Sequence, residues 1–229
     1  AFDADRAKQV AMHAVTSCGV VKAAVNPEVF REDRHQYSIS LEQGKITNQK
    51  QSGRCWMFAA LNTMRFAIMK KLDLATFELS QNYTLFYDKL EKANYFLESI
   101  LATLDEPTNG RVIAHLLMAP LNDGGQWDMF CSLIEKYGVV PKDAMPETVS
   151  SSATREMVSY MTRKLREYAC TLRTAYANGK TVEELRALKE GMMGTVYNML
   201  CIALGKPPKT VTLEVRNKKK EFIRDENLT

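Results

Sequence analysis

The sequence predicts a mainly α-helical fold, and three observations carry that prediction. Helically spaced apolar residues recur over long stretches at 55–69, 152–177 and 181–204. Turn-forming residues mark the boundaries between such stretches, as at Asn178-Gly179 and Pro207-Pro208. Only one segment, 210–215, alternates in the manner of a strand.

Residues 3–17 read as an amphipathic helix that stops at Gly19, and an irregular stretch follows through Asn26-Pro27 to Gly44. The polar segment 45–54 has neither helical nor strand periodicity and is expected to be a loop. From Cys55 to Met69 apolar residues fall on every side, which predicts a central, mostly buried helix. Ser80 is placed to cap a helix running through Tyr83, Phe86 and Leu90 towards Leu104, and Pro107 and Gly110 break the chain after it. A short helix over 111–118 ends at Pro120, Asn122-Asp123-Gly124-Gly125 forms a turn, and a helix over 126–137 stops at Gly138. Pro141 and Pro146 keep the next stretch extended. The patterns at 152–177 and 181–204 then make a helical hairpin, read as a self-contained unit. Beyond the strand, Lys218-Lys219-Lys220 opens a charged end. Three segments result: 1–150, 151–209 and 210–229.

The 229 residues are 45% hydrophobic and 25% charged, an ordinary globular composition. The net charge of +4 is unevenly spread. Residues 1–150 hold 16 Lys and Arg against 18 Asp and Glu, while residues 151–229 hold 15 against 9. No apolar run of about 18 residues exists, so no membrane span is expected, and the start lacks the pattern of a secretory signal. The five cysteines, Cys18, Cys55, Cys131, Cys170 and Cys201, are widely spaced and never form a CxxC pair. That argues against a disulfide framework or a zinc site and for a reducing, cytoplasmic compartment; no metal or cofactor is expected.

Cys55 is the residue with the most chemical promise. A thiolate, not a thiol, attacks a carbonyl, and the N-terminus of a helix supplies partial positive charge that favours it. Cys55 opens the apolar helix directly after Arg54, a neighbouring cation, and after Gly53, which lets backbone approach a substrate. The backbone N–H of Cys55 and a side-chain amide could form an oxyanion hole, with Gln49 and Gln51 as local candidates. Position alone leaves open a second reading, a small buried apolar cysteine.

The segment Thr47-Asn48-Gln49-Lys50-Gln51-Ser52-Gly53-Arg54-Cys55-Trp56-Met57-Phe58-Ala59 resembles the active-site segment of the bleomycin hydrolase and aminopeptidase C family, within the papain superfamily. Leu79-Ser80-Gln81, Asn122-Asp123-Gly124-Gly125-Gln126-Trp127-Asp128 and Tyr137-Gly138-Val139-Val140-Pro141-Lys142 follow in the family's order. The resemblance implies an α+β papain-like fold, of which this chain is the mainly helical portion, with a β-rich half after it. It implies Cys55 as nucleophile and Gln49 as the oxyanion-hole amide. It also implies that Asn122, Asp123, Gly124, Gly125 and Trp56 line the substrate cleft. Segment 1–150 then corresponds to the subdomain carrying the nucleophile, 151–209 to a helical insertion, and 210–229 to the start of a connector. Peptide substrates, attacked from their N-termini, and a homo-hexameric assembly are implied in the same way.

A general base is the piece this sequence does not supply. The histidines are His13 on the first helix, His35 in a polar stretch and His115 in an apolar helical run, where it is expected to be a packed side chain. In papain-like chains the catalytic histidine comes roughly 130–150 residues after the cysteine, and none follows His115. The expectation is a C-terminal half, in the same or a separate polypeptide, that carries His and Asn, and no turnover without it. An alternative is a non-enzymatic oligomerisation or nucleic-acid-binding module built on the basic 151–229 region. Against it stands the simpler reading of those charges as a solvated helix face.

Overall fold

The computed structural model describes residues 2–41 and 43–228. The chain divides into two compact units, Ala1–Leu41 and Glu42–Thr229.

The first unit is three short helices. Asp5 caps α1 (Arg6–Cys18) by accepting from the Ala7 and Lys8 amides, and Gly19 ends it at φ 82°. Helices α2 (Val20–Ala23) and α3 (Pro27–Glu32) occupy the stretch that sequence periodicity leaves irregular. Asn26 caps α3, and Pro27 takes its first position, where a missing N–H costs nothing. None of the three buries a residue within this chain.

The second unit is built around one helix. After the loop that precedes it, α4 spans Cys55–Lys71. Ser80 then caps α5 (Gln81–Leu101), its Oγ accepting from the Tyr83 amide. Next come α6 (Arg111–Met118), α7 (Trp127–Tyr137, ended by Gly138 at φ 71°) and the single turn α8 (Val149–Ser152). The hairpin is α9 (Arg155–Ala177) and α10 (Val182–Leu204), turned at Gly179 and restarted by a Thr181–Glu184 capping box. Strands β1 (Val211–Arg216) and β2 (Phe222–Leu228) pair antiparallel.

The central helix is α5, not α4. It packs against α4, α6, α7, α9 and α10, and its Phe86, Phe96, Leu97 and Ile100 are almost wholly enclosed. Helix α4 buries Met57, Phe58, Ala60, Leu61, Arg65 and Met69. Cys55, Ala59, Thr63 and Ala67, spaced four apart, form an exposed stripe along it. Alanine fits core and surface alike, so counting it as apolar overstates how much of α4 is enclosed.

The hairpin is likewise less independent than its punctuation suggests. Leu165, Leu172, Leu185, Val196 and Leu200 join Phe86, Leu97 and Ile100 of α5 in one hydrophobic cluster. At about 25 cal/mol per Å² of apolar area, each such leucine contributes about 1.5–3 kcal/mol on burial, so α5 and the hairpin stabilise each other. Among the described residues no helix is long and apolar enough to cross a membrane.

Candidate active site

The loop before α4 is irregular because its hydrogen bonds go elsewhere. The Gln51 amide donates to Ser152 O at 3.0 Å and Gln51 O accepts from the Thr154 amide at 3.3 Å, a short parallel bridge to the start of the hairpin. Ser52 Oγ donates to Gln49 O at 2.6 Å and accepts from Arg54 Nε at 2.8 Å. The Arg54 guanidinium then forms a fork with Glu147, at 2.9 Å to Oε1 and 2.8 Å to Oε2. Ser151 Oγ donates to the same carboxylate at 2.7 Å. Burial pushes the Glu147 carboxyl up, but Arg54 and Ser151 outweigh it and hold it below the ordinary 4.5.

That network corrects one expectation. The Arg54 side chain is 2% exposed and its charge is answered by Glu147, so it is not a free cation beside Cys55. The positive field at the sulfur comes instead from the start of α4, whose first residue is Cys55 and whose cap, Arg54, makes no side-chain cap bond. The Cys55 thiol is free and exposed.

Gln49 is partly buried, and its Oε1 is enclosed without a hydrogen-bond partner. Its Nε2 donates to no protein acceptor among the described residues. An enclosed acceptor without a partner costs free energy, so the Oε1 atom is the unsatisfied end of this side chain.

The Asn122–Gly125 turn packs directly on the loop before α4. The Gly124 amide donates to Gly53 O at 3.2 Å, and Gly124 sits at φ 86°. A Cβ on Gly53 would lie 2.4 Å from the Asp123 Cβ, and one on Gly125 would lie 2.8 Å from the Trp56 indole. Both contacts exist only because neither residue has a side chain. Thus Trp56, Asp123, Gly124 and Gly125 are brought together around Gly53. Beside them a shallow groove of about 230 Å³ is lined by Trp56, Ala59, Ala60, Thr63, Gln126 and Trp127.

Behind the turn stand charged groups that the sequence reading missed. Lys89, 1% exposed, donates to Asp123 Oδ1 at 2.7 Å and to Asn122 O at 3.3 Å. Lys92 donates to Asn122 O at 2.9 Å and to Gly124 O at 2.8 Å, and stands 5.5 Å from the Trp56 ring centroid. Asp88 lies 2.9 Å from Lys92 Nζ and 3.6 Å from Lys89 Nζ. Burial raises the Asp88 carboxyl and lowers the Lys92 ammonium, and their mutual attraction opposes both shifts. One signal was present in the sequence: Lys89 falls in register with Phe86, Ala93, Phe96 and Ile100, in the middle of a buried stripe.

Within the second unit, His115 takes no part in this arrangement. His115 is exposed on α6, contrary to the packed side chain expected, because Ile113 takes that helix's buried position. His13 and His35 are also exposed. Among the described residues His115 makes no hydrogen bond to Cys55.

The comparison with known families turns on this same stretch of chain. The family model described as the peptidase C1-like family matches residues 1–229. This chain belongs to that family. It is similar to an aminopeptidase C of Listeria monocytogenes, 46% identical over 222 residues, which cover 97% of this chain and 50% of that one. It is similar also to a bleomycin hydrolase of Homo sapiens, 45% identical over 189 residues, 82% of this chain and 42% of that one. The crystal structure of pepw from Lactobacillus rhamnosis HN001 (DR20) superposes with a TM-score of 0.93 at 45% identity, over 100% of this chain and 51% of that one. The fold is therefore papain-like, in a mostly helical portion of it, and the chain spans about half the length of these relatives.

Proposed function

We propose that this chain carries the nucleophile side of a thiol aminopeptidase site. Cys55 Sγ attacks the carbonyl carbon of a peptide's N-terminal residue. The resulting oxyanion is held by the Cys55 N–H and Gln49 Nε2, the amine leaves with a proton, and water hydrolyses the thioester. Trp56 and the Asn122–Gly125 backbone form one wall of the cleft. The observation that supports this reading best is the exposed thiol on the first residue of α4, with Gly53 before it pressed against Asp123 of the opposing turn and Gly125 of that turn pressed against Trp56.

The base and its orienting partner are proposed to come from outside these 229 residues, as a His and an Asn of a C-terminal half. His13, His35 and His115 are exposed, and His115 makes no hydrogen bond to Cys55. Action at the N-terminus, a cytoplasmic setting and hexamer formation through the hairpin belong to the same proposal. The nucleic-acid alternative finds little support. Arg173 donates to main-chain carbonyls, Arg186 and Lys189 pair with Glu98, and Arg224 pairs with Glu214 and Glu226.

The test is an aminoacyl-fluorogenic assay of this chain alone and co-expressed with the C-terminal half of the Listeria monocytogenes relative. The pair should turn over substrate and lose that activity on Cys55→Ala; activity that survives the substitution defeats the assignment.

A further inference from the structure

A turn containing two adjacent glycines has little stiffness of its own, since glycine loses more conformational freedom on ordering than any other residue. Something must hold Gly124-Gly125 in place: the Gly124 amide donates to Gly53 O in front, and the remaining bonds come from behind. The Lys92 ammonium accepts none and donates to the carbonyls of both Asn122 and Gly124, at 2.9 and 2.8 Å. Across a trans peptide the N–H points opposite to the C=O. Turning these two carbonyls inward therefore turns the amides of Asp123 and Gly125 away from Lys92, and neither donates to a protein acceptor among the described residues. Lys89 fixes the Asp123 carboxylate from one helical turn below. Asp88 balances the pair of ammoniums, so two lysines and two aspartates meet with no net charge.

We infer that Lys92, supported by Asp88 and Lys89, is a positioning residue that sets the Gly124-Gly125 backbone at the height where it meets the acyl side of a peptide bound at Cys55. This rests on the proposed peptidase reading of the site. Stabilisation alone is a weak account of the cluster, because burying ion pairs gains little over packed apolar groups. Lys92 also lies over Trp56, the residue next to the nucleophile. It thereby touches both walls that the turn and α4 present, and a shift of its ammonium moves one against the other.

The experiment compares two reagents on the 229-residue chain, with labelling read at each cysteine by peptide mass mapping. A dipeptidyl chloromethyl ketone must lie along the turn to reach Cys55, whereas iodoacetamide needs only the thiol. Lys92→Met, and the charge-neutral pair Lys92→Met with Asp88→Asn, should lower the dipeptidyl rate at Cys55 by about tenfold to a hundredfold while leaving the iodoacetamide rate unchanged. The double variant keeps the test sound if the single one unfolds by stranding Asp88. A ratio unchanged within about twofold, or both rates falling together as a merely structural role requires, overturns the inference and leaves the site reading standing. A wild-type chain whose dipeptidyl preference at Cys55 is no greater than at the exposed Cys170 overturns the site reading, and the inference with it.

Discussion

Replacing Glu147 by Gln removes one charge from the network that anchors the loop before α4, and its cost can be worked from the geometry. Breaking a fully buried ion pair by removing one partner costs about 3–5 kcal/mol, and an exposed pair contributes about 0–1 kcal/mol. Arg54 is 2% exposed and Glu147 22%, so the pair sits near the buried limit. Glutamine keeps an acceptor for one of the two Arg54 bonds, and the guanidinium retains Ser52 and the Phe58 ring, 5.0 Å from its centroid. The expected loss is about 2–3 kcal/mol, or about 30- to 150-fold in the folded-to-unfolded ratio. Urea unfolding followed by Trp56 and Trp127 fluorescence measures it. Arg54→Met with Glu147→Leu should recover part of the stability, because an apolar pair needs no counter-charge. It should not recover dipeptidyl labelling of Cys55, because Ser52 has lost the donor that fixes it beneath Gln49. A Glu147→Gln loss below about 0.5 kcal/mol, in the range of surface pairs, would refute the claim that this network organises the loop.

The same carboxylate sets a pH dependence. Its folded value is depressed, so its contribution is complete above the ordinary 4.5 and is lost as pH falls through the lower folded value; the stability advantage of wild type over Glu147→Gln should hold above 4.5 and shrink as pH falls below it in urea titrations. Gly125→Ala places a methyl 2.8 Å from the Trp56 ring and should cost about 1–3 kcal/mol by thermal unfolding, with a parallel loss of dipeptidyl labelling; an unchanged melting temperature would show that the turn and Trp56 are not in close contact. If the hairpin mediates assembly, Tyr160→Glu with Ile202→Glu, at positions 66% and 87% exposed, should reduce the oligomer in gel filtration while leaving stability within about 0.5 kcal/mol; an unchanged elution volume counts against that contact. Deleting the hairpin is no test, since it shares the core of α5.

What the sequence made legible was local. Helix α6 runs Arg111–Met118, as its apolar spacing and Pro120 indicate, and Ser80, Gly138 and Gly179 stop or start helices where cap chemistry places them. Helices α2 and α3 were missed because four and six residues are too few for a period to show, although Asn26-Pro27 is a cap signal in its own right. Strand β2 was hidden among charges; it exists because β1 supplies its partner, with Arg224 facing Glu214 across the pair. The site divides along the same line. Gln49, Cys55 and Trp56 are visible because seven or eight consecutive positions contain them. The groups that hold them in place are not: Arg54 meets Glu147 across 93 residues and Lys89 meets Asp123 across 34. A lysine or glutamate read along the chain looks solvated, and only the fold shows which have been taken out of water. Two separate ion networks therefore hold the loop before α4 and the turn packed on it, one through segment 147–154 and one through α5.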